Sequence, residues 1–187
     1  MVNEPSHPDD AAAPAYGRVA VLLHWLLAAA IVGSFAVGSY MVDLPFSPQR
    51  LKLYNWHKWA GVLILGASAL RLLWRLRNPP PPPPPMPQWQ HRVAELAHRA
   101  LYLLFFAVPL AGWAYSSAAG FPIVLFGVLP LPDFVPKDAQ WAEWLKPWHG
   151  RLAWALALIV VLHVAGAMKH HFIDRDGLLR RMAWSRS

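Results

Sequence analysis

Four stretches of this 187-residue chain are each apolar enough, and long enough, to cross a bilayer as a helix. A hydrocarbon layer of about 30 Å takes about 20 helical residues. Nothing else in the sequence restricts the fold so severely, because a chain in hydrocarbon must satisfy its own backbone hydrogen bonds. The runs lie roughly at Val19 to Val42, Asn55 to Arg75, Val93 to Ser117 and Trp148 to His171. The first carries no charge, and the second has Lys58 and Arg71 near its ends. The third contains Pro109 and Gly112, which membrane helices tolerate where neighbouring helices take up the freed backbone groups. Composition agrees, with 56% of residues apolar and only 14% charged, against about a quarter charged in soluble domains. The predicted class is an all-α membrane protein, a four-transmembrane-helix bundle.

Outside the runs, residues 1–15 are polar, include Asp9 and Asp10, and lack the basic start of a secretory signal. A disordered cytoplasmic tail is expected there, and another at 183–187, flanking a single domain over 16–182. Asn78 is followed by seven prolines, Pro79 to Pro85, so the linker at 78–90 is expected to be an extended polyproline spacer. The connection from Ala118 to Pro147 carries the apolar patch FPIVLFGVLPLP and is expected to lie along the membrane interface. With the N-terminus inside, eleven cations fall on the inner side and six on the outer side: Arg50, Lys52, Lys58, Lys137, Lys146 and Arg151. The positive-inside rule then places both termini in the cytoplasm. The net charge of +7 orients a membrane protein on this reading and gives no reason to expect nucleic acid.

The chain has no cysteine, which excludes disulfides, thiolate metal sites and thioether-linked haem. Ionisable residues within membrane helices are functional candidates by default, and the histidines sort by depth. His57 and His149 are the outer-half histidines, whereas His24, His98 and His163 compete in the inner half. On the fourth run His149 and His163 are 14 residues apart, about 21 Å along the axis and about 40° short of four full turns. One helix therefore offers a ligand at each of two stacked levels. Two histidines are too few for structural zinc, and the helix centres hold no carboxylate. Two imidazoles on facing helices do suit the axial positions of an iron porphyrin, and without cysteine that haem is non-covalent and b-type. Gly61 and Gly166 lie near the ligand faces. Arg71, 14 residues after His57, is placed to meet a haem propionate or a quinone oxygen.

The segments carrying His24-Trp25, WHKWAG with RLLWRL, HRALYLLFFAVPLAG, and WHGRLAWA with VLHVAGAMKHHFIDRDGLLRRM together resemble the prokaryotic cytochrome b561 family. The resemblance covers nearly all of Tyr16 to Met182. It implies two b-type haems, one held by His24 and His163 on the cytoplasmic side, the other by His57 and His149 on the periplasmic side. Arg71, Lys58 and Arg151 are further candidates for contact with propionates or anions. The family also implies a bacterial inner-membrane protein exchanging electrons with the quinone pool. The leading expectation is a superoxide:ubiquinone oxidoreductase, with the cationic outer rim steering superoxide. The alternative is a cytochrome b electron-carrier subunit that links a partner dehydrogenase or periplasmic cytochrome to quinone. A third class, a transporter or sensor using its histidines as relays, predicts a colourless protein.

Overall fold

The computed structural model describes residues 15–183. The tails expected at 1–15 and 183–187 lie outside the described residues, apart from Ala15 and Ala183. Four long helices account for most of the fold: α1 (Arg18–Val42), α2 (Pro48–Arg77), α3 (Gln88–Ala118) and α4 (Ala139–Lys169). Each contains an apolar stretch long enough to cross a membrane, as the hydropathy pattern requires. α1 packs on α2, α2 on α3 and α3 on α4. Phe35 and Trp154, with ring centroids 5.0 Å apart, join α1 to α4.

Local chemistry sets the helix ends. Ser47 caps α2 by accepting the Arg50 N–H at 3.2 Å, with Pro48 in the first turn. The helix stops at Asn78, whose backbone N–H bonds back to the Trp74 carbonyl, because the prolines that follow have no N–H to continue the ladder. α3 resumes at Gln88, so the extended linker covers 78–87, three residues fewer than expected. α4 begins nine residues before the apolar run, since Asp138 accepts the Trp141 N–H at 3.0 Å and caps it there.

Between α3 and α4 the chain folds into a two-stranded antiparallel hairpin, β1 (Val124–Leu125) with β2 (Leu129–Pro130). Phe126 and Gly127 both have φ above +50°, the left-handed pair that a tight hairpin turn requires. Trp59 on α2 pins the hairpin by donating to the Val124 carbonyl at 2.7 Å. The bundle thus has a hairpin face and an opposite face, called terminal here, carrying the first and last described residues and the prolines. After α4 a π-helical turn at His170–Asp174 and a 3-10 turn at Leu178–Met182 form a short strap. Tyr16 donates its N–H to the Arg181 carbonyl at 3.2 Å, and the Trp25 indole donates to the Met182 carbonyl at 3.0 Å.

The buried core is a cluster of Leu27, Ile31, Ile64, Leu101, Leu104 and Leu156. Large apolar side chains also cover the outside, with Leu103 70% and Val161 63% exposed. A surface this apolar at mid-helix belongs in lipid, since water would penalise an uninterrupted patch of that kind. The chain is a multi-pass membrane protein.

Candidate functional site

A heptad read through the bundle generates the site. Helices in a bundle that cross at a small angle keep a seven-residue repeat on the interior seam. From the hairpin face to the terminal face, α2 reads His57, Ile64, Arg71 and α4 reads His149, Leu156, His163. The antiparallel helices run the other way: α1 reads Gly38, Ile31, His24 and α3 reads Gly112, Phe105, His98. The hairpin-side level therefore holds two histidines and two glycines. The terminal-side level holds three histidines and one arginine. The apolar core lies between, since Ile31, Ile64 and Leu156 belong to its buried cluster and Phe105 packs against it.

At the hairpin-side level the ring centroids of His57 and His149 lie 6.1 Å apart. Each imidazole is seated on a helix it does not belong to. His57 Nδ1 lies 3.1 Å from the Ser34 carbonyl oxygen on α1 and 3.2 Å from the Ser34 hydroxyl. His149 Nδ1 lies 3.0 Å from the Val108 carbonyl oxygen on α3. A carbonyl can only accept, so Nδ1 carries the proton in both rings and Nε2 is left with a free lone pair, the state of a metal-ligating histidine. Four residues beyond each carbonyl is a glycine on which the ring rests. A Cβ on Gly38 would stand 2.9 Å from His57 Cε1, and one on Gly112 would stand 2.8 Å from His149 Cε1. Only glycine leaves room for the ring at either place.

At the terminal-side level His24 and His163 have ring centroids 6.3 Å apart, and His98 lies 5.4 Å from His163. Two imidazole nitrogens that share one metal at about 2.0–2.1 Å each bring their ring centroids to no more than about 6.3 Å apart. His57 with His149, His24 with His163 and His98 with His163 all lie within that reach. The donor set is neutral nitrogen throughout, and the two hairpin-side rings are already in ligand tautomers. The residues present fit an iron porphyrin held by paired histidines.

The charged candidates divide. Arg71 interacts electrostatically with His24, His98 and His163, and donates to the Ala20 carbonyl at 3.4 Å. It stands beside the terminal-side level, as its 14-residue separation from His57 predicts. Lys58 instead turns to the α3–α4 connection, donating to the Phe121 carbonyl at 2.8 Å. Arg151 stacks on Trp148, 5.3 Å from the ring centroid. Of the glycines expected near the ligands, a Cβ added at Gly61 would stand 4.0 Å from Pro109 Cβ across the α2–α3 contact, and one added at Gly166 would meet none of the described residues of other elements within 4 Å. The glycines that receive the imidazoles are Gly38 and Gly112. Their signal was present in the chain: each lies 14 residues after a histidine, His24 and His98 respectively.

Paired interior imidazoles in a membrane-spanning four-helix bundle are the arrangement of a membrane electron-transfer cytochrome. Comparison with known proteins gives the particular family. The profile described as prokaryotic cytochrome b561 matches residues 15–185, and the chain belongs to that family, whose cofactor is b-type haem. It is similar to cytochrome b561 homolog 2 of Escherichia coli (strain K12), 38% identical over 169 residues, which cover 89% of this chain and 90% of the relative. It is also similar to a probable superoxide oxidase, CybB, of Yersinia pestis, 30% identical over 168 residues covering 89% and 94%. Cytochrome b561 homolog 1 of Escherichia coli (strain K12) is 29% identical over 171 residues, covering 89% and 96%.

Proposed function

We propose that the chain is a di-haem superoxide:ubiquinone oxidoreductase of the bacterial inner membrane, with both termini cytoplasmic and the hairpin face periplasmic. The observation that carries the di-haem reading is the repeated ring spacing, 6.1 Å at one level and 6.3 Å at the other. The net reaction takes one electron from each of two superoxide anions, and these with two protons convert one quinone to quinol, releasing two molecules of oxygen. Bound haem b supplies reversible one-electron chemistry at iron. The protein's own residues do the rest. His57 and His149 hold the periplasmic level, their rings fixed by the Ser34 and Val108 carbonyls. His24 and His163 hold the cytoplasmic level, with Arg71 beside them to neutralise a propionate. A haem held by two imidazoles at each level would be suited to electron transfer and not to gas binding.

The periplasmic rim supports superoxide as donor. Lys52, Lys58, Lys137 and Arg151 hold their charges there on aromatic faces, backbone carbonyls and a glycine turn. Cations arranged so, over a low-dielectric interior, raise the local concentration of a small anion. The similarity to a probable superoxide oxidase points the same way.

A second reading is an electron-carrier subunit fed by a periplasmic partner. The exposed hairpin favours it, with Val128 82% and Phe126 59% exposed. Absorption spectra of the purified protein separate the two readings. About two b-type haems per chain, reduced by superoxide as sole reductant, are expected. Two haems that superoxide leaves oxidised would transfer support to the carrier, and a colourless protein would refute both.

A further inference from the structure

On the terminal face is a cavity of about 270 Å³ that haem ligation does not use, lined by Tyr16, Gly17, Ala20, Trp74, Asn78 and Pro79 among others. Beside it a smaller space of about 30 Å³, called the neck here, shares Tyr16, Ala20, Trp74 and Asn78 with it and is lined on its other side by Arg71, Arg75 and Tyr102. The wide part is walled by an indole, a phenol ring and small or proline side chains. The neck admits a single polar atom, about the room a water molecule needs, and not a ring.

The chemistry at the neck is one-sided. The Tyr102 hydroxyl is buried and has no hydrogen-bonding partner among the described residues. A buried hydroxyl without a partner carries a substantial free-energy cost, so it marks a position where an acceptor belongs. Arg75 stacks on the ring of the same tyrosine at 5.6 Å, and Arg71 has more N–H donors than its one 3.4 Å bond to Ala20 uses. Among the described residues no carboxylate lines either space. Arg71 also reaches all three terminal-side imidazoles electrostatically, so the neck opens beside that level.

A strap roofs the neck. Met182 lines it, held by the Trp25 indole at 3.0 Å. Arg181 donates to the Pro82 carbonyl at 2.7 Å. A polyproline segment has unpaired carbonyls because it lacks the N–H groups to bond them, and here one of those carbonyls anchors the roof.

We propose that this cavity takes the head group of a quinone, its ring in the wide part against Trp74 and one carbonyl oxygen received at the neck by Tyr102 with Arg71 and Arg75. The proposal rests on the quinone reading above and gives it a location. The acceptor oxygen has a second possible source, a carboxylate of the terminal-side macrocycle. The wide aromatic space behind the neck is more than a carboxylate fills, which favours the quinone.

The test uses the haem-loaded full chain and decylubiquinone. Protein reduced with dithionite, then freed of it, is mixed with increasing decylubiquinone while haem reoxidation is followed. Tyr102→Phe is expected to raise the half-saturating concentration about 3- to 10-fold, the loss of one neutral hydrogen bond, with haem content and haem potentials unchanged. Ala20→Phe, which fills the wide part, is expected to abolish saturation and keep both haems. A photoreactive azidoquinone is expected to label the peptide containing Trp74 and Asn78. A shifted haem potential in Tyr102→Phe with unchanged half-saturation would assign the hydroxyl to the macrocycle and overturn the proposal. Unchanged behaviour in both variants, or labelling confined to the hairpin face, would also overturn it. Wild-type protein that decylubiquinone cannot reoxidise at any concentration would instead remove the quinone reading itself, and this site with it.

Discussion

Replacing Gly112 by alanine tests the seating of His149 directly. The added Cβ would stand 2.8 Å from Cε1, 3.0 Å from Nδ1 and 3.4 Å from Nε2 of that ring. Ordinary carbon contacts begin near 3.5 Å, so the ring must move by about 0.7 Å, away from the helix whose Val108 carbonyl holds it at 3.0 Å. Overpacking of this kind costs about 1–3 kcal/mol, and losing the outer partner of a metal-bound histidine lowers metal affinity about 10- to 100-fold. Both effects point the same way, against the hairpin-side haem. Helix propensity points the other way, because Gly→Ala inside a helix stabilises it by about 0.5–1 kcal/mol. A loss of haem in a chain that still inserts and folds therefore isolates the steric term. The assay is haem per chain by pyridine haemochrome, with redox titration to identify the haem that remains. Gly112→Ala is expected to fall from about two haems toward one, and Gly38→Ala to do the same through His57. Gly166→Ala, with open space at its Cβ, keeps both. Wild-type haem content in Gly112→Ala together with loss in Gly166→Ala would refute the reasoning.

Other outcomes follow from the same geometry. His149→Ala is expected to remove only the hairpin-side haem and His163→Ala only the terminal-side one, read by redox titration, and loss of the same haem from both would break the two-level arrangement. His98→Ala is expected to keep both haems, because the proposed terminal-side pair is His24 with His163. The rate of superoxide oxidation should fall as ionic strength rises, since the rim charges act through solvent over about a Debye length; a flat response to salt would count against steering. Asp176 anchors the strap through His170 at 2.6 Å. Burial works to raise its pKa, but the Leu178 N–H, the His170 bond and the Arg181 charge outweigh that and hold it below the ordinary 3.8. Its stabilising contribution is complete above that ordinary value and disappears as pH falls through the lowered folded one. Limited proteolysis should therefore release the C-terminal segment only in strong acid, and Asp176→Asn should release it near neutrality.

Much of the site was legible because depth in a membrane is nearly one-dimensional. Residue number along a span fixes height, so the 14-residue interval between His149 and His163 was enough to predict two levels. The hairpin-side pair followed from height alone. The terminal-side pair did not, since His24, His98 and His163 share a height, and all three rings gather there. The glycines illustrate what height omits. Gly61 and Gly166 were expected near the ligands because each follows a histidine on its own helix, yet an imidazole needs its space on the helix it faces. That space is at Gly38 and Gly112, and it depends on how one helix is rotated against another. The start of α4 was also hidden from hydropathy, because residues 139–147 are polar enough to fall outside an apolar window, and the Asp138 cap sets the boundary instead.

By itself, then, the sequence determined the four spans, the interior seam and the two histidine levels, since each depends only on spacing along one helix and on the cost of polar groups in hydrocarbon. The tertiary structure decided which imidazoles lie beside one another, which carbonyl and glycine receive each hairpin-side ring, and how the strap closes on the prolines. Those are relations between helices, and they follow from rotation and packing that no single segment encodes.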